Sequence, residues 1–140
     1  MVPSKNLINS VNDAVSETLS GLSYTYPQLE YHVSHRVVMS SDYRNRRDKV
    51  VLVCGGGSGH EPFAAGFVGS GMLTASIAGS IFSAPPSIHI TYALQRIAEN
   101  SKVGIVIVVP NYTGDCLNFG IAIEKARQAD ITVKLIITCM

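Results

Sequence analysis

Apolar residues recur every three or four positions near the start of the chain. Within residues 6–22 the apolar positions on this spacing are Leu7, Val11, Val15, Leu19 and Leu22. Such a spacing is typical of one face of an α-helix, and Ser4 precedes it as a candidate N-cap. The pattern predicts an amphipathic helix over residues 6–22 that packs its apolar face on the rest of the protein.

Short apolar runs rich in β-branched residues dominate the remainder of the chain. The clearest of them cover residues 50–54, 73–78, 104–109 and 132–138, and a shorter run covers residues 36–39. Runs of this length, bounded by glycine, proline or polar residues, are typical of buried β-strands. We therefore predict four regular strands in the second part of the chain and one short strand before them.

Two apolar stripes at helical spacing lie between these runs. One follows a pair of prolines and the other precedes the last predicted strand; their members are Ile88, Tyr92, Ala93 and Ile97, and Leu117, Ile121, Ile123 and Ala126. Strands that alternate with helices predict βαβ units, in which consecutive strands are parallel. A chain of 140 residues with this alternation predicts one α/β domain, with a mainly parallel sheet and flanking helices.

Composition and charge narrow the class of partner. The chain is 46% hydrophobic and 15% charged, and its formal net charge is +1. So small a net charge provides no long-range field to attract nucleic acid or an anionic membrane, and we interpret the basic run at residues 44–49 as a solvated turn. No apolar run approaches the ~18 residues of a transmembrane helix, and no signal peptide is recognisable. We expect a cytosolic protein without nucleic-acid or membrane partners.

The cysteines follow no metal-binding or disulfide pattern. Cys54, Cys116 and Cys139 are widely spaced, and no C-x-x-C pair occurs. Neither a disulfide framework nor a zinc site is expected from this spacing. We predict that these residues are small buried side chains.

Two predicted strand ends carry polar residues suited to chemistry. The strand at residues 50–54 runs into a glycine-rich segment at residues 55–62, and the strand at residues 104–109 runs into residues 110–115. Ligands of α/β sheets bind beyond the carboxyl ends of parallel strands. These two segments are therefore predicted to form one site.

The glycine-rich segment matches none of the common nucleotide or hydrolase motifs. His60 occupies the position at which a dinucleotide fingerprint, or a nucleophile elbow around Ser58, requires glycine. No Gly-Lys-Ser/Thr of a Walker loop occurs, and His60-Glu61 lacks the second histidine of H-E-x-x-H. We therefore expect neither a nucleotide loop nor a metal site in this segment.

The remaining groups suit a small polyhydroxylated ligand that bears a carbonyl. Backbone N–H groups of the glycine-rich segment could hold the oxygens of the ligand, while Asp115 and His60 could exchange protons with its hydroxyls. Two structural alternatives stay open at this point. Asp115 could N-cap the helix that follows it, and His60 could be a structural histidine.

Three segments of the sequence resemble the DhaK domain of dihydroxyacetone (glycerone) kinases. They are CGGGSGHEPFAAGFVGSGMLT at residues 54–74, NYTGD at residues 111–115 and LNFG at residues 117–120. The opening SKNLINS and the pair His35-Arg36 are similar to the eukaryotic triokinase/FMN cyclase type. By this resemblance, residues 1–140 correspond to the N-terminal portion of a DhaK-type domain.

The resemblance implies ATP-dependent phosphorylation of dihydroxyacetone, and of D-glyceraldehyde in the animal enzymes. ATP and magnesium belong in this family to a second, all-helical DhaL-type domain, which we expect this sequence to lack, so we expect no cofactor and no metal on the chain. Residue by residue, the resemblance implies substrate contacts from Gly57, Ser58, Gly59 and His60. It also implies that Asp115 is the base toward the hydroxyl that is phosphorylated, while His60 polarises or orients that hydroxyl. A homodimer is implied for the full-length family.

Three departures from the family pattern lower the expected activity. Pro110 stands where the family has a lysine that reaches the substrate, and Cys139-Met140 stand where it has a glycine and paired aspartates. The histidine that binds the substrate carbonyl covalently lies further along the family sequence. We expect a substrate-binding half that is inactive alone and that dimerises or dissolves poorly, with a non-catalytic binding or interaction module as the alternative.

Overall fold

A computed structural model of the chain describes residues 7–138. Within this range the chain forms a six-stranded sheet in the order β1-β2-β4-β3-β5-β6. The strands are β1 (Leu29–His32), β2 (Val37–Ser40), β3 (Val51–Ser58), β4 (Ala75–Ile81), β5 (Ile105–Pro110) and β6 (Val133–Thr138). The helices are α1 (Ala14–Thr25), α2 (Ser87–Ala98) and α3 (Thr113–Gln128).

The sheet is mainly parallel, which confirms the predicted α/β class. Strands β4, β3, β5 and β6 run parallel to one another. Strand β2 is antiparallel to β4, and β1 is antiparallel to β2, so the sheet is mixed at one edge. The carboxyl ends of the four parallel strands therefore meet at one edge of the sheet, where a site is expected.

The two faces of the sheet are covered unequally. Helices α2 and α3 pack on one face, where Ile107 and Phe119 are fully buried in the larger core cluster. Helix α1 packs on the other face, because its Val15 and Leu19 cluster with Val38 of β2, whereas Val37 belongs to the larger cluster. Since α1 covers only the side of β1, β2 and β4, the opposite part of this face has no helix among residues 7–138.

The predicted helix 6–22 is shorter than its apolar pattern suggests. Helix α1 begins at Ala14, while Leu7 and Val11 are exposed by 106% and 69% and contribute nothing to the core. Periodicity alone cannot distinguish a packed turn from an exposed one, so the prediction was wrong by two turns at its start. Ser4, the predicted N-cap, lies outside the described residues, as does Cys139.

The glycine-rich segment is partly strand, not loop. Strand β3 continues through Gly55, Gly56 and Gly57 to Ser58, and it pairs with β4 along this stretch, with a register shift between Gly56 and Ser58. Glycine is normally disfavoured in strands, but the space beside this part of β3 is too small for a side chain. A Cβ atom at Gly55 would collide with the carbonyl oxygen of Ile77.

The basic run at residues 44–49 is not simply a solvated turn. The guanidinium of Arg46 donates to the Asp42 carboxylate, the Thr74 hydroxyl and the Gly69 carbonyl. Its side chain is only 11% exposed. Arg46 therefore ties residues 69–74 to the end of β2, a role that the charge pattern did not indicate, whereas Arg47 and Lys49 are exposed as expected.

Two further findings concern the described part of the chain. No helix in it has both the length and the apolar character needed to cross a membrane. Residues 7–138 also contain no group of three or more histidine, cysteine, aspartate or glutamate side chains arranged to hold a metal ion.

Candidate active site

A cavity of about 560 Å³ lies at the carboxyl ends of the parallel strands. Its walls come from four segments that are distant in sequence. Residues 56–63 lie at the end of β3 and just after it, residues 82–84 follow β4, residues 110–115 join β5 to α3, and Thr138 ends β6. The two segments that the sequence pattern placed together thus meet here, because β3 and β5 are neighbours in the sheet.

Asp115 contributes a buried carboxylate to this cavity. It is the third residue of α3, and only 4% of the residue is exposed. Its Oδ1 atom is buried without a hydrogen-bond partner among the described residues. Burial raises the pKa of Asp115, and the nearby His60 opposes this shift. The alternative role as N-cap does not apply, since α3 is preceded by Tyr112 at the cap position.

His60 contributes an exposed imidazole to the same cavity. Its ring contacts Phe82 edge to face, with 5.4 Å between the ring centroids and an interplanar angle of 69°. No hydrogen bond to another described residue fixes this ring, so a purely structural role has little support. Both side chains therefore line one cavity, and His60 lowers the pKa of Asp115.

Of the other predicted contact residues, Gly57 lines the cavity, whereas Ser58 and Gly59 do not. The Ser58 hydroxyl is buried and donates to the carbonyl of Gly79 at 2.9 Å. The Gly59 N–H donates to the Glu61 carboxylate at 3.0 Å. Both donors are thus used within the protein, and the structure does not bring them to the cavity that His60 and Asp115 share.

Ser58 lines a second cavity of about 440 Å³ on the other side of β3. This cavity is bounded by α1 and by residues 61–66. Gly56, Gly57 and Phe63 line both cavities and separate them. The thin glycine backbone of β3 is therefore a shared wall.

Residues 82–84 form a part of the cavity wall that was not predicted from the sequence. Phe82, Ser83 and Ala84 belong to the connection between β4 and α2, and all three line the cavity. This turn lies so close to β3 and β4 that a Cβ atom at Gly57 would be 2.8 Å from the Ser83 nitrogen, and one at Gly79 would collide with the Ser83 carbonyl. The sequence did not predict this wall: Pro85-Pro86 indicated only that a helix follows, and Gly79 lies within β4.

Pro110 lies in the cavity wall where the family resemblance placed a lysine. None of the described residues that line the cavity is lysine or arginine, so Asp115 has no cationic partner there. The neighbouring thiol of Cys54 is buried, and burial raises its pKa to about 11, which keeps it neutral and unreactive. Besides backbone groups, the cavity wall therefore offers the Asp115 carboxylate, the His60 imidazole and the hydroxyl-bearing residues Ser83, Tyr112 and Thr138.

The structure is thus an α/β domain with a cavity at the carboxyl ends of its parallel strands. The sequence model of the Dak1 domain matches residues 20–139. The chain belongs to the Dak1 domain family.

Two kinases are similar to the chain over nearly all of its length. The chain is 46% identical to the triokinase/FMN cyclase of Mus musculus over 134 residues, which are 96% of this chain and 23% of that protein. The dihydroxyacetone kinase from C. freundii, solved in complex with AMP-PNP and Mg2+, superposes with a TM-score of 0.85 at 36% identity over 97% of this chain and 26% of that one. The chain therefore spans about a quarter of the length of these two kinases.

A relative with a different role has the same fold. The dihydroxyacetone kinase operon co-activator DhaQ superposes with a TM-score of 0.82 at 37% identity, over 88% of this chain and 37% of that one. The fold of this chain thus occurs both in kinases and in a co-activator.

Proposed function

We propose that this chain forms the triose-binding part of a dihydroxyacetone kinase of the triokinase type. The observation that carries the proposal is the buried Oδ1 atom of Asp115, which has no protein partner within residues 7–138 and borders the cavity that His60 also lines. A buried, unpaired carboxylate oxygen is costly to a fold and is typical of a group that waits for a ligand. A hydroxyl of a triose supplies the missing donor.

Asp115 is the proton acceptor in this proposal. Its raised pKa makes the carboxylate a stronger base than an exposed aspartate, and it accepts the proton of the hydroxyl to be phosphorylated. His60 borders the same space and orients that hydroxyl. The wall at Gly57 lets the ligand approach the backbone, because no side chain intervenes.

The charge of the cavity fits a neutral triose better than a nucleotide. Its lining residues within the described chain include one carboxylate and neither lysine nor arginine. A triphosphate carries several negative charges, which Asp115 would repel, and no cluster of metal ligands occurs within residues 7–138. We therefore assign ATP and Mg2+, which supply the phosphoryl group, to another domain of the complete kinase and expect the 140-residue chain to be inactive alone.

A chimera tests this assignment directly. The matching quarter of the C. freundii kinase is replaced by this chain, and phosphorylated product is measured with dihydroxyacetone and Mg-ATP. We expect product from the chimera and none from the isolated chain. Asp115→Asn in the chimera removes the proton acceptor, for which general base catalysis predicts a loss of about 10²–10⁴-fold, and Asp48→Asn, at an exposed position, is the matched control.

A second function, a non-catalytic binding module, is favoured by two observations. One is the likeness to the co-activator DhaQ, and the other is Pro110 in the cavity wall. Under this alternative the chain binds triose, but the chimera forms no product. Pro110→Lys in the chimera then separates the two cases, because product that appears only with the lysine indicates a binding module that has lost catalysis.

A further inference from the structure

Phe82 adopts a backbone conformation that aromatic residues rarely tolerate. Its φ angle is +51°, in the left-handed region that favours glycine and asparagine. Its side chain is nevertheless 74% exposed, so burial of the ring does not compensate for the strain. A strained, exposed aromatic residue at the rim of a cavity points to a role outside the core.

The surrounding backbone holds Phe82 in this conformation. Its N–H donates to the carbonyl of Ser58 at 2.8 Å, and the next residue, Ser83, donates to the carbonyl of Ser80 at 3.0 Å. The ring then lies against Gly59, where a Cβ atom would be 2.8 Å from Cε1 of Phe82. Gly59 therefore provides the space that the Phe82 ring occupies.

The ring of Phe82 is also the one aromatic contact of His60 among the described residues. Centroids 5.4 Å apart at 69° lie in the range of favourable edge-to-face pairs. Since no hydrogen bond to another described residue orients the imidazole, the Phe82 ring is what limits its rotation. Both side chains border the cavity of Asp115.

We propose that Phe82 is a positioning residue that holds the His60 imidazole toward the Asp115 cavity. The strained turn places a flat apolar surface beside an otherwise free ring, so the imidazole is pre-organised before the ligand arrives. The importance of this role for triose binding rests on the proposed function, whereas the orientation of the ring does not.

NMR on the complete 140-residue chain tests the orientation without ligand. We expect nuclear Overhauser effects between the ring protons of Phe82 and His60 in the wild type. Phe82→Asn keeps a residue that tolerates positive φ but removes the ring, so ¹³C relaxation should report a mobile His60 ring. Phe82→Tyr keeps the ring and should restore its order. Tyr24→Ala, at an aromatic position that is 92% exposed on α1, is the control and should change neither measurement.

Titration with dihydroxyacetone tests the consequence for binding. Loss of one edge-to-face pair predicts an affinity about two- to tenfold weaker for Phe82→Asn and unchanged for Phe82→Tyr. Absence of the Overhauser effects in the wild type, an equally ordered His60 ring in Phe82→Asn, or full affinity in that variant would each overturn the proposal. A wild type that does not bind dihydroxyacetone contradicts the proposed function instead, and the ligand-free spectra still decide the role of Phe82.

Discussion

Asp115 and His60 line one cavity, because the segments that carry them follow two neighbouring parallel strands, β5 and β3. Asp115 is buried with an unpartnered Oδ1 atom, and His60 is exposed and packed on Phe82. A buried carboxylate and an imidazole that line one cavity can exchange protons with a hydroxyl bound there.

The first prediction concerns the stability cost of Asp115. Burial raises its pKa in the folded protein above that in the unfolded chain, so the folded state binds the proton more tightly. This contribution to stability is fully present below the unfolded pKa and is lost as pH rises through the folded pKa. Asp115→Asn should therefore stabilise the protein at neutral pH, by about 0.5–2 kcal/mol, while it abolishes triose binding.

Thermal unfolding between pH 4 and 8 measures this effect. The difference in Tm between Asp115→Asn and wild type should grow as pH rises, while Asp48→Asn, an exposed control, should show no such growth. A constant difference across the range would mean that Asp115 is not desolvated in the folded protein.

The second prediction concerns histidines near α2. His32 bonds the Tyr92 hydroxyl through Nδ1 at 2.9 Å, and His35 stacks on the same tyrosine and contacts His89. Burial lowers the pKa of both His32 and His89; Glu30 opposes this for His32, while the positive charge of Arg36 adds to it for His89. The unfolded chain then binds more protons than the folded one, so stability should fall as pH drops below about 6.5.

Urea unfolding at pH 7 and pH 5 tests this linkage. The wild type should lose stability at the lower pH, and His32→Asn, which keeps a polar group near Tyr92, should lose less. Equal losses in the two proteins would show that His32 does not carry the effect.

The third prediction distinguishes two glycines by their surroundings. Gly55→Ala places a methyl group against the Ile77 carbonyl and should destabilise the protein by about 1–3 kcal/mol. Gly21→Ala lies in α1 with no atom within 4 Å of the new Cβ, and helix propensity predicts a gain of about 0.5–1 kcal/mol. Chemical denaturation of both variants measures the contrast, and similar effects at the two sites would contradict the packing of β3 on β4.

The fourth prediction concerns the sheet face that α1 leaves uncovered. Leu52 and Ile136 are exposed by 38% and 52%, and both lie on the face opposite α2 and α3. An apolar sheet face beside the edge strand β6 favours association. The isolated chain should therefore dimerise in analytical ultracentrifugation.

Matched variants locate that association. Ile136→Lys should shift the chain toward monomer, and Leu117→Lys, which changes an exposed leucine on α3, should not. A stable monomer in the wild type would contradict this prediction.

The sequence predicted the regular part of the fold well. Strands β5 and β6 agree with their apolar runs to within one residue, because each is rich in β-branched residues, and because Ile105, Ile107 and Val133 turn their side chains into the core under α2 and α3. Strand β1 was not predicted. Leu29–His32 is only four residues long and lies at the sheet edge, so its alternation of apolar and polar residues is too short to indicate a strand.

The sequence predicted two of the four segments that line the site. His60 and Asp115 follow adjacent strand ends, and topology alone brings such ends together. The wall at Phe82 depends on a positive φ angle at an aromatic residue, for which the sequence provides no expectation. The direction of the Ser58 hydroxyl, toward Gly79, was likewise decided by local packing.

Binding of dihydroxyacetone to the chain tests the central claim most directly. A titration followed by amide chemical shifts should move the signals of Gly57, His60 and Asp115 together with one dissociation constant, and Asp115→Asn should abolish the shifts. Unchanged signals at these three residues in the wild type, at triose concentrations up to the millimolar range typical of enzyme substrates, ~1 mM, would contradict the claim that this cavity holds the triose.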